Sequence, residues 1–175
     1  MANLEKIQLV LDHKFDQKTG RHFINDTQIV FHCHHFTTLY TQLAIDAGKT
    51  ALLANVAEEN FLKILTDYYK QHGIESLDDK IEIACQYYSA IGLGTLEVCF
   101  IGKYSGEVKS ANSHIEMGWI KKWSKYDKSV NYIGCGYVAA MFSAIFDNPL
   151  NSFHVEETKS IVKGDEYTMF KVVKN

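Results

Sequence analysis

The sequence predicts an α+β fold in which a helical N-terminal half packs on a small antiparallel sheet with an inserted buried helix. First, three stretches between residues 27 and 91 repeat apolar residues at steps of three and four, as amphipathic helices do. Second, four shorter stretches after residue 94 alternate apolar and polar side chains, as half-buried strands do. Third, residues 132–147 interrupt these strands with apolar residues at helical spacing, which indicates a buried helix.

Composition and charge restrict the class of protein. The 175 residues, 46% hydrophobic and 22% charged, suit one globular domain spanning residues 1–175. The net charge of −3 gives no basic excess, which argues against a nucleic-acid partner. No stretch approaches the roughly 20 apolar residues of a membrane span, and residues 1–10 are too charged for a signal peptide. We therefore expect a cytoplasmic protein without a membrane span.

The cysteines are dispersed along the chain. Cys33, Cys85, Cys99 and Cys135 form no C-x-x-C pair, which indicates neither a zinc knuckle nor a disulfide scaffold. We expect four reduced, mostly buried thiols, and we predict no resident metal and no cofactor.

The N-terminal third is predicted to be a hairpin or loop followed by a helix. Thr19 and Gly20 form a turn between two potential short strands. A helix is predicted from Thr27 to Ala47, with Gly48 just past its end. Its expected core face consists of Ile29, Cys33, Phe36, Tyr40, Leu43 and Ala47.

Two further helices are predicted from their spacing and caps. Residues 49–71 form the first, which Gly73 ends. Ser76, three residues before Asp79, caps the second. Residues 92–94, Gly-Leu-Gly, break the chain before a strand, and no Lys-Ser or Lys-Thr follows to make them a phosphate loop.

The second half is predicted to be mainly a sheet with two helices. Residues 95–102 and the segment reaching Val108 alternate as strands. Ser113 and Glu116 form a capping box that begins a helix, and Asn131 caps the buried helix of residues 132–147. The chain then closes with a hairpin whose turn lies at residues 163–166.

The tetrapeptide His32-Cys33-His34-His35 is the main cluster of chemically active side chains. On a continuous helix, His32 and His35 share one face and His34 points away. Three interpretations stay open: a polar rim around a ligand pocket, an incomplete metal site with His114 or Glu116 as third ligand, or histidines at the edge of the core. Because adjacent helical residues diverge, His32 and His34 are poorly placed to activate Cys33 as a nucleophile.

The C-terminal hairpin carries a family resemblance. Its run of Glu157, Ser160, Gly164, Thr168 and Phe170 resembles the closing signature of the 4-vinyl reductase-like, hydrocarbon-binding domain family, which reads Glu, Cys, Gly, Cys, Phe at these spacings. The likeness covers roughly the last half of the chain well and the first half loosely. It implies a compact α+β domain related to subunits of the TRAPP vesicle tether, with an apolar pocket and often a dimer. Metal or thiol chemistry tied to the two cysteines would be absent here.

The expected function is the binding of a small hydrophobic or aromatic molecule between the helical half and the sheet. His32, His35 and His114 are the predicted polar contacts. Trp119, Tyr137 and Met141 are the predicted apolar walls, although Trp119 equally suits a plain core position. The alternatives are a stand-alone enzyme that uses histidine for acid–base or metal chemistry, and a structural dimer subunit. We expect a homodimer.

Adjacent carboxylates near the C-terminus do not predict catalysis. Glu156 and Glu157 neighbour each other in a strand and therefore project to opposite faces, which excludes a paired acid and base within that strand. We expect Glu157 to hold the hairpin by accepting hydrogen bonds.

Overall fold

The computed structural model describes residues 6–31 and 33–175. Within these ranges the chain forms seven strands and five helices: β1 (His13–Asp16), β2 (Arg21–Ile24), β3 (Thr27–Ile29), α1 (His34–Asp46), α2 (Thr50–His72), α3 (Leu77–Ala90), β4 (Glu97–Ile101), β5 (Ser105–Ser110), α4 (His114–Trp123), α5 (Tyr132–Ile145), β6 (Phe153–Lys159) and β7 (Thr168–Lys174). The strands form two antiparallel sheets, in the orders β1-β2-β3 and β4-β5-β7-β6. The α+β prediction is confirmed.

The N-terminal sheet starts with the predicted hairpin. The turn between β1 and β2 closes with a hydrogen bond from the Gly20 amide to the Asp16 carbonyl, at 2.8 Å. A second tight turn follows at Asn25 and Asp26, which have φ values of 47° and 63°. This turn brings residues 27–29 back along β2 as a strand, so the prediction of a helix from Thr27 is wrong for residues 27–31 and 33.

The predicted core face of α1 is also wrong. Phe36, Tyr40 and Leu43 are 50%, 45% and 56% exposed, whereas Thr37, Thr38 and Thr41 are buried. The buried threonines satisfy their hydroxyls on carbonyls of their own helix, as when Thr41 donates to Thr37 at 2.9 Å. The threonine face can therefore pack on another element without leaving an unpaired hydroxyl.

The partner of the threonine face is α4, which approaches it closely. A Cβ added at Gly118 would lie 2.8 Å from His34 Cβ and 3.0 Å from Thr38 Oγ1. The absence of a side chain at Gly118 thus sets the distance between α1 and α4, and it fixes His34 against the first turns of α4.

The core is built around α5, which packs on α2 and on the four-stranded sheet. A Cβ at Gly136 would lie 2.2 Å from the Ala54 carbonyl oxygen, so the glycine permits close approach of the two helix backbones. α2 spans Thr50–His72 and ends at Gly73 in the left-handed conformation, with φ of 63°, as predicted. The predicted Ser76 cap is also confirmed, because its hydroxyl accepts from the Asp79 amide at 3.1 Å.

The cysteines depart from the expectation of mostly buried thiols. Cys33 and Cys99 are exposed, while Cys85 and Cys135 are half-buried. All four are free within the part of the chain that the structure describes. In the same ranges, none of the helices combines the length and apolar character that a bilayer crossing requires.

Candidate functional site

The first feature of the site is an apolar cavity of about 590 Å³. It lies between the N-terminal sheet, the first turn of α1, the middle of α2, the end of α3 and the starts of α4 and α5. The lining residues that carry polar groups are Thr27, Gln28, Thr37, Asn60, Tyr87 and His114. Its apolar walls include Ile24, Phe31, Phe61, Ile64, Leu93 and Ile133. The volume and this mixture of many apolar and few polar groups are typical of small-molecule sites.

The structure separates the six predicted binding residues. His114 lines the apolar cavity. His35 is exposed on the first turn of α1, and His32 lies outside the described residues. The cavity also adjoins the N-terminal sheet rather than the four-stranded sheet expected from the sequence.

Trp119 lies in a small separate core. It is 3% exposed and packs with Val130 and Val162. Its ring lies 4.9 Å from that of Trp123 and 5.2 Å from that of Tyr126, measured between centroids. Trp119 is therefore not among the residues that line the apolar cavity.

Tyr137 and Met141 belong to the main core, where both are fully buried. The Tyr137 hydroxyl donates to the Ala84 carbonyl at 2.7 Å, which anchors α5 to α3. The Tyr137 ring lies 4.8 Å from that of Phe61, a wall residue of the cavity. Tyr137 thus supports the wall from behind, and neither it nor Met141 is part of the lining.

A second cleft of about 560 Å³ lies on the other side of His114. His34, Asn112, Gly118 and Lys121 also line it. The His34 and His114 rings are 6.2 Å apart, and His34 is 4.3 Å from the ring of His35. Among the described residues, the histidine whose ring lies near that of His114 is therefore His34, which the sequence predicted to point away. The reason is that α1 begins at His34, so a helical wheel continued from residue 27 does not apply.

The side chain of His34 is unusual because its Nε2 atom is buried and has no hydrogen-bond partner among the described residues. Burial lowers the pKa of His34, and the nearby positive charges of His35, Lys121 and His114 lower it further. These effects favour the neutral form of the imidazole, and the His34 side chain lines the cleft.

Cys33 precedes α1 instead of lying within it. It occupies the N-cap position, and its Sγ atom is 3.6 Å from Nδ1 of His35. Because Cys33 lies outside the helix, the divergence of adjacent helical side chains does not determine which groups surround its thiol. Its contact is with the imidazole two residues further along.

A third feature is a buried polar cluster around Glu116. Ser113 Oγ accepts from the Glu116 amide at 3.3 Å, which confirms the predicted cap of α4. The fully buried Glu116 carboxylate accepts from Ser160 Oγ at 2.7 Å and from Thr168 Oγ1 at 2.5 Å. It also accepts from the Asn131 side-chain amide at 3.4 Å. The two hydroxyls stand at the positions where the family signature has cysteines.

Glu157 is the second carboxyl group of this cluster, and it is 8% exposed. One carboxyl oxygen, Oε2, accepts a hydrogen bond from the backbone N–H of Asn131 at 3.1 Å, which connects β6 to the start of α5. Its Oε1 atom has no partner within the described ranges. Burial, and secondly the charge of Glu116, raise the pKa of Glu157 to about 8. Glu157 is therefore predominantly protonated at neutral pH.

The described part of the chain gives no complete ligand set for the metal-site interpretation. Among the residues that the structure describes, there is no group of three or more histidine, cysteine, aspartate or glutamate side chains placed to hold a metal ion. Glu116, one suggested third ligand for His32 and His35, accepts hydrogen bonds inside the buried cluster, whereas His35 is exposed.

Comparison with known proteins gives matches at the level of structure. No protein-family model and no curated protein matches the sequence. The phenol-responsive sensory domain of the transcription activator PoxR, solved with phenol, superposes with a TM-score of 0.77 and 13% identity, over 93% of this chain and 84% of that one.

Two other solved structures are similar. A vinyl-4-reductase family protein from Methanocaldococcus jannaschii matches with a TM-score of 0.58 and 15% identity, over 84% of each chain. A trafficking protein particle complex subunit 3 from Naegleria fowleri, covalently bound to palmitic acid, matches with a TM-score of 0.55 and 14% identity, over 81% of this chain and 92% of that one. The chain therefore has the 4-vinyl reductase-like fold, which it shares with TRAPP subunits and with a phenol-responsive sensory domain.

Proposed function

We propose that this chain, as one domain spanning residues 1–175, binds a small, largely apolar molecule in the apolar cavity and acts as a ligand-binding or sensing module. The observation that carries the proposal is the cavity itself, whose walls are mainly apolar and which has few polar groups to fix a ligand's orientation. His114 is the predicted polar contact that lies on this lining. Phe61, supported by Tyr137, provides an aromatic wall.

The similar structures support this proposal through their ligands. The PoxR domain was solved with phenol, and the Naegleria subunit carries palmitic acid. Both are molecules with a substantial apolar part. A fold that accommodates such ligands elsewhere makes an apolar cavity in this chain a reasonable place for one.

Native mass spectrometry of the protein as purified, together with calorimetric titration of phenol, tests the proposal. Ile133→Phe narrows the cavity at the first turn of α5 and should weaken binding about tenfold or more. Leu77→Phe adds a similar bulk on an exposed residue of α3 and serves as the control. If both variants remained folded and changed the ligand affinity equally, the ligand would bind at a surface other than this cavity.

A second proposal concerns assembly. Phe36, Leu39, Tyr40 and Leu43 recur on one face of α1 and are 42–56% exposed. Together they expose on the order of 400 Å² of largely apolar surface, a size at which a patch on a soluble protein marks an interaction site. This is about half of the ~800 Å² that each partner buries in a standard interface, as expected for the apolar centre of one. We propose that a second copy of the chain covers it.

Sedimentation equilibrium at micromolar concentration tests this assembly. The wild-type chain should be a dimer, and Leu43→Glu should give a folded monomer because it places a charge in the centre of the patch. Leu77→Glu, on an exposed residue outside the patch, should leave the dimer intact. A monomeric wild-type protein would exclude the dimer.

A further inference from the structure

The apolar cavity and the second cleft adjoin at the same two residues. Gly92 and His114 line both, and the His114 amide donates to the Leu93 carbonyl at 3.0 Å, which holds these two segments together. The His114 side chain therefore stands at the boundary between an apolar chamber and a cleft of similar volume, about 590 and 560 Å³.

The ionisable side chains that line this boundary are all basic. His34, His114 and Lys121 line the cleft, and the described lining of both cavities contains no aspartate or glutamate. The mutual proximity of these groups opposes protonation of His34, which indicates that the cleft is an environment of positive potential. A negative group in the cleft would relieve this repulsion.

The start of α1 adds to the positive potential. No side chain caps α1, and its first turn contains no acidic residue, so the partial positive charge of its N-terminus is not neutralised locally. The neighbouring helix α4 differs, because Ser113 caps it and Glu116 lies in its first turn. The buried Nε2 atom of His34, which has no partner among the described residues, supplies a hydrogen-bonding group at the same place.

We propose that the ligand is an amphiphile with an anionic head, a carboxylate on an aromatic or aliphatic body. Its body occupies the apolar cavity, and its head lies at His114 and in the cleft between His34 and Lys121. This inference rests on the proposed function and specifies the ligand class for the same cavity. A neutral phenol or hydrocarbon would use the apolar walls and leave the cationic boundary without a counter-charge.

Three matched probes test the inference by calorimetric titration at pH 7: 4-phenylbutanoate, 4-phenylbutan-1-ol and 4-phenylbutylammonium. These molecules share the body and differ in the charge of the head. The carboxylate should bind about tenfold more tightly than the alcohol, as one charge-assisted hydrogen bond would give, and the ammonium should bind most weakly. Lys121→Gln should reduce the advantage of the carboxylate several-fold and leave the affinity for the alcohol unchanged.

Two further variants complete the test. Lys122→Gln removes an equally exposed charge from the next position of α4, where the lysine lies over the Trp123 ring, and should leave all three affinities unchanged. His34→Gln, with folding checked by circular dichroism, should lower carboxylate affinity selectively. Equal binding of the alcohol and the carboxylate would overturn the anionic head while leaving the cavity in place. Failure of all three probes to bind would overturn the proposed function as well.

Discussion

Replacement of Glu157 by glutamine should change how the stability of the protein depends on pH. Glutamine has nearly the shape of a protonated glutamic acid, and it keeps a carbonyl oxygen that can accept from the Asn131 amide at the position now used by Glu157. The substitution therefore preserves the packing of the neutral side chain and removes its ionisation. Asn131 stays the N-cap of α5 in both proteins.

The magnitude follows from the raised pKa of Glu157. Its pKa is about 8 in the folded chain, against 4.5 for the unperturbed group, because the site is buried and lies near the charge of Glu116. The folded state thus binds the proton more tightly than the unfolded state, so the stabilisation is complete below pH 4.5 and is lost as the pH rises through 8. Between pH 5 and pH 9 this costs the wild type on the order of 4 kcal/mol relative to Glu157→Gln.

Urea unfolding of both proteins at pH 5, 7 and 9, followed by circular dichroism, measures this difference. Ionisable groups that do not interact with Glu157 cancel when the two free energies of unfolding are subtracted, and Glu116 enters through its coupling to Glu157. Glu156→Gln changes the adjacent, exposed carboxylate on the opposite face of β6. Its free energy of unfolding should depend on pH in the same way as that of the wild type. If the free energies of unfolding of the wild type and of Glu157→Gln showed the same pH dependence, the side chain of Glu157 would not be a buried neutral acid.

Three other substitutions test the packing around the site, each by urea unfolding. Thr168→Val removes a donor to the buried Glu116 carboxylate and should cost about 2–3 kcal/mol; a cost below about 0.5 kcal/mol would mean that this hydrogen bond is replaced. Gly118→Ala places a methyl group 2.8 Å from His34 Cβ and should cost about 1–3 kcal/mol, unless α1 moves away from α4. Ser76→Ala removes the cap of α3 and should cost about 1 kcal/mol, with no effect on ligand affinity.

The local features of the fold were predictable because they depend on neighbours in sequence. The caps formed by Ser76, Ser113 and Asn131 and the end of α2 at Gly73 each need only a few adjacent residues. The spacing of hydrophobic residues was likewise sufficient to predict the position and the burial of α5, which is buried on almost every side. These predictions are confirmed for that reason.

The start of α1 was not predictable from spacing alone. The turn at Asn25 and Asp26 directs residues 27–29 into a sheet, and Asn-Asp between alternating residues was a hairpin signal that the helical pattern obscured. The same error concealed the meeting of His34 with His114. The apolar face of α1 was assigned to the core because spacing identifies a stripe and not the surface that the stripe contacts.

The cavity and the buried cluster depend on long-range packing. The lining of the cavity combines the N-terminal sheet with residues of five helices, and the periodicity of the sequence does not show which elements lie next to one another. Glu116 carried a clear capping signal, yet its carboxylate turned to hydroxyls 44 and 52 residues away in sequence. Only the folded chain brings those positions together.

Two hydroxyl groups of the closing hairpin form hydrogen bonds with helix α4. Ser160 and Thr168 donate to Glu116, and these hydroxyls, unlike thiols at the same two positions, neither form disulfides nor lose protons to become metal-binding thiolates. These hydrogen bonds therefore contain no thiol that an oxidant could modify and no bound metal that a chelator could remove. The chain can close its C-terminal sheet in reducing or oxidising surroundings alike, and the supply of transition metals does not limit that step.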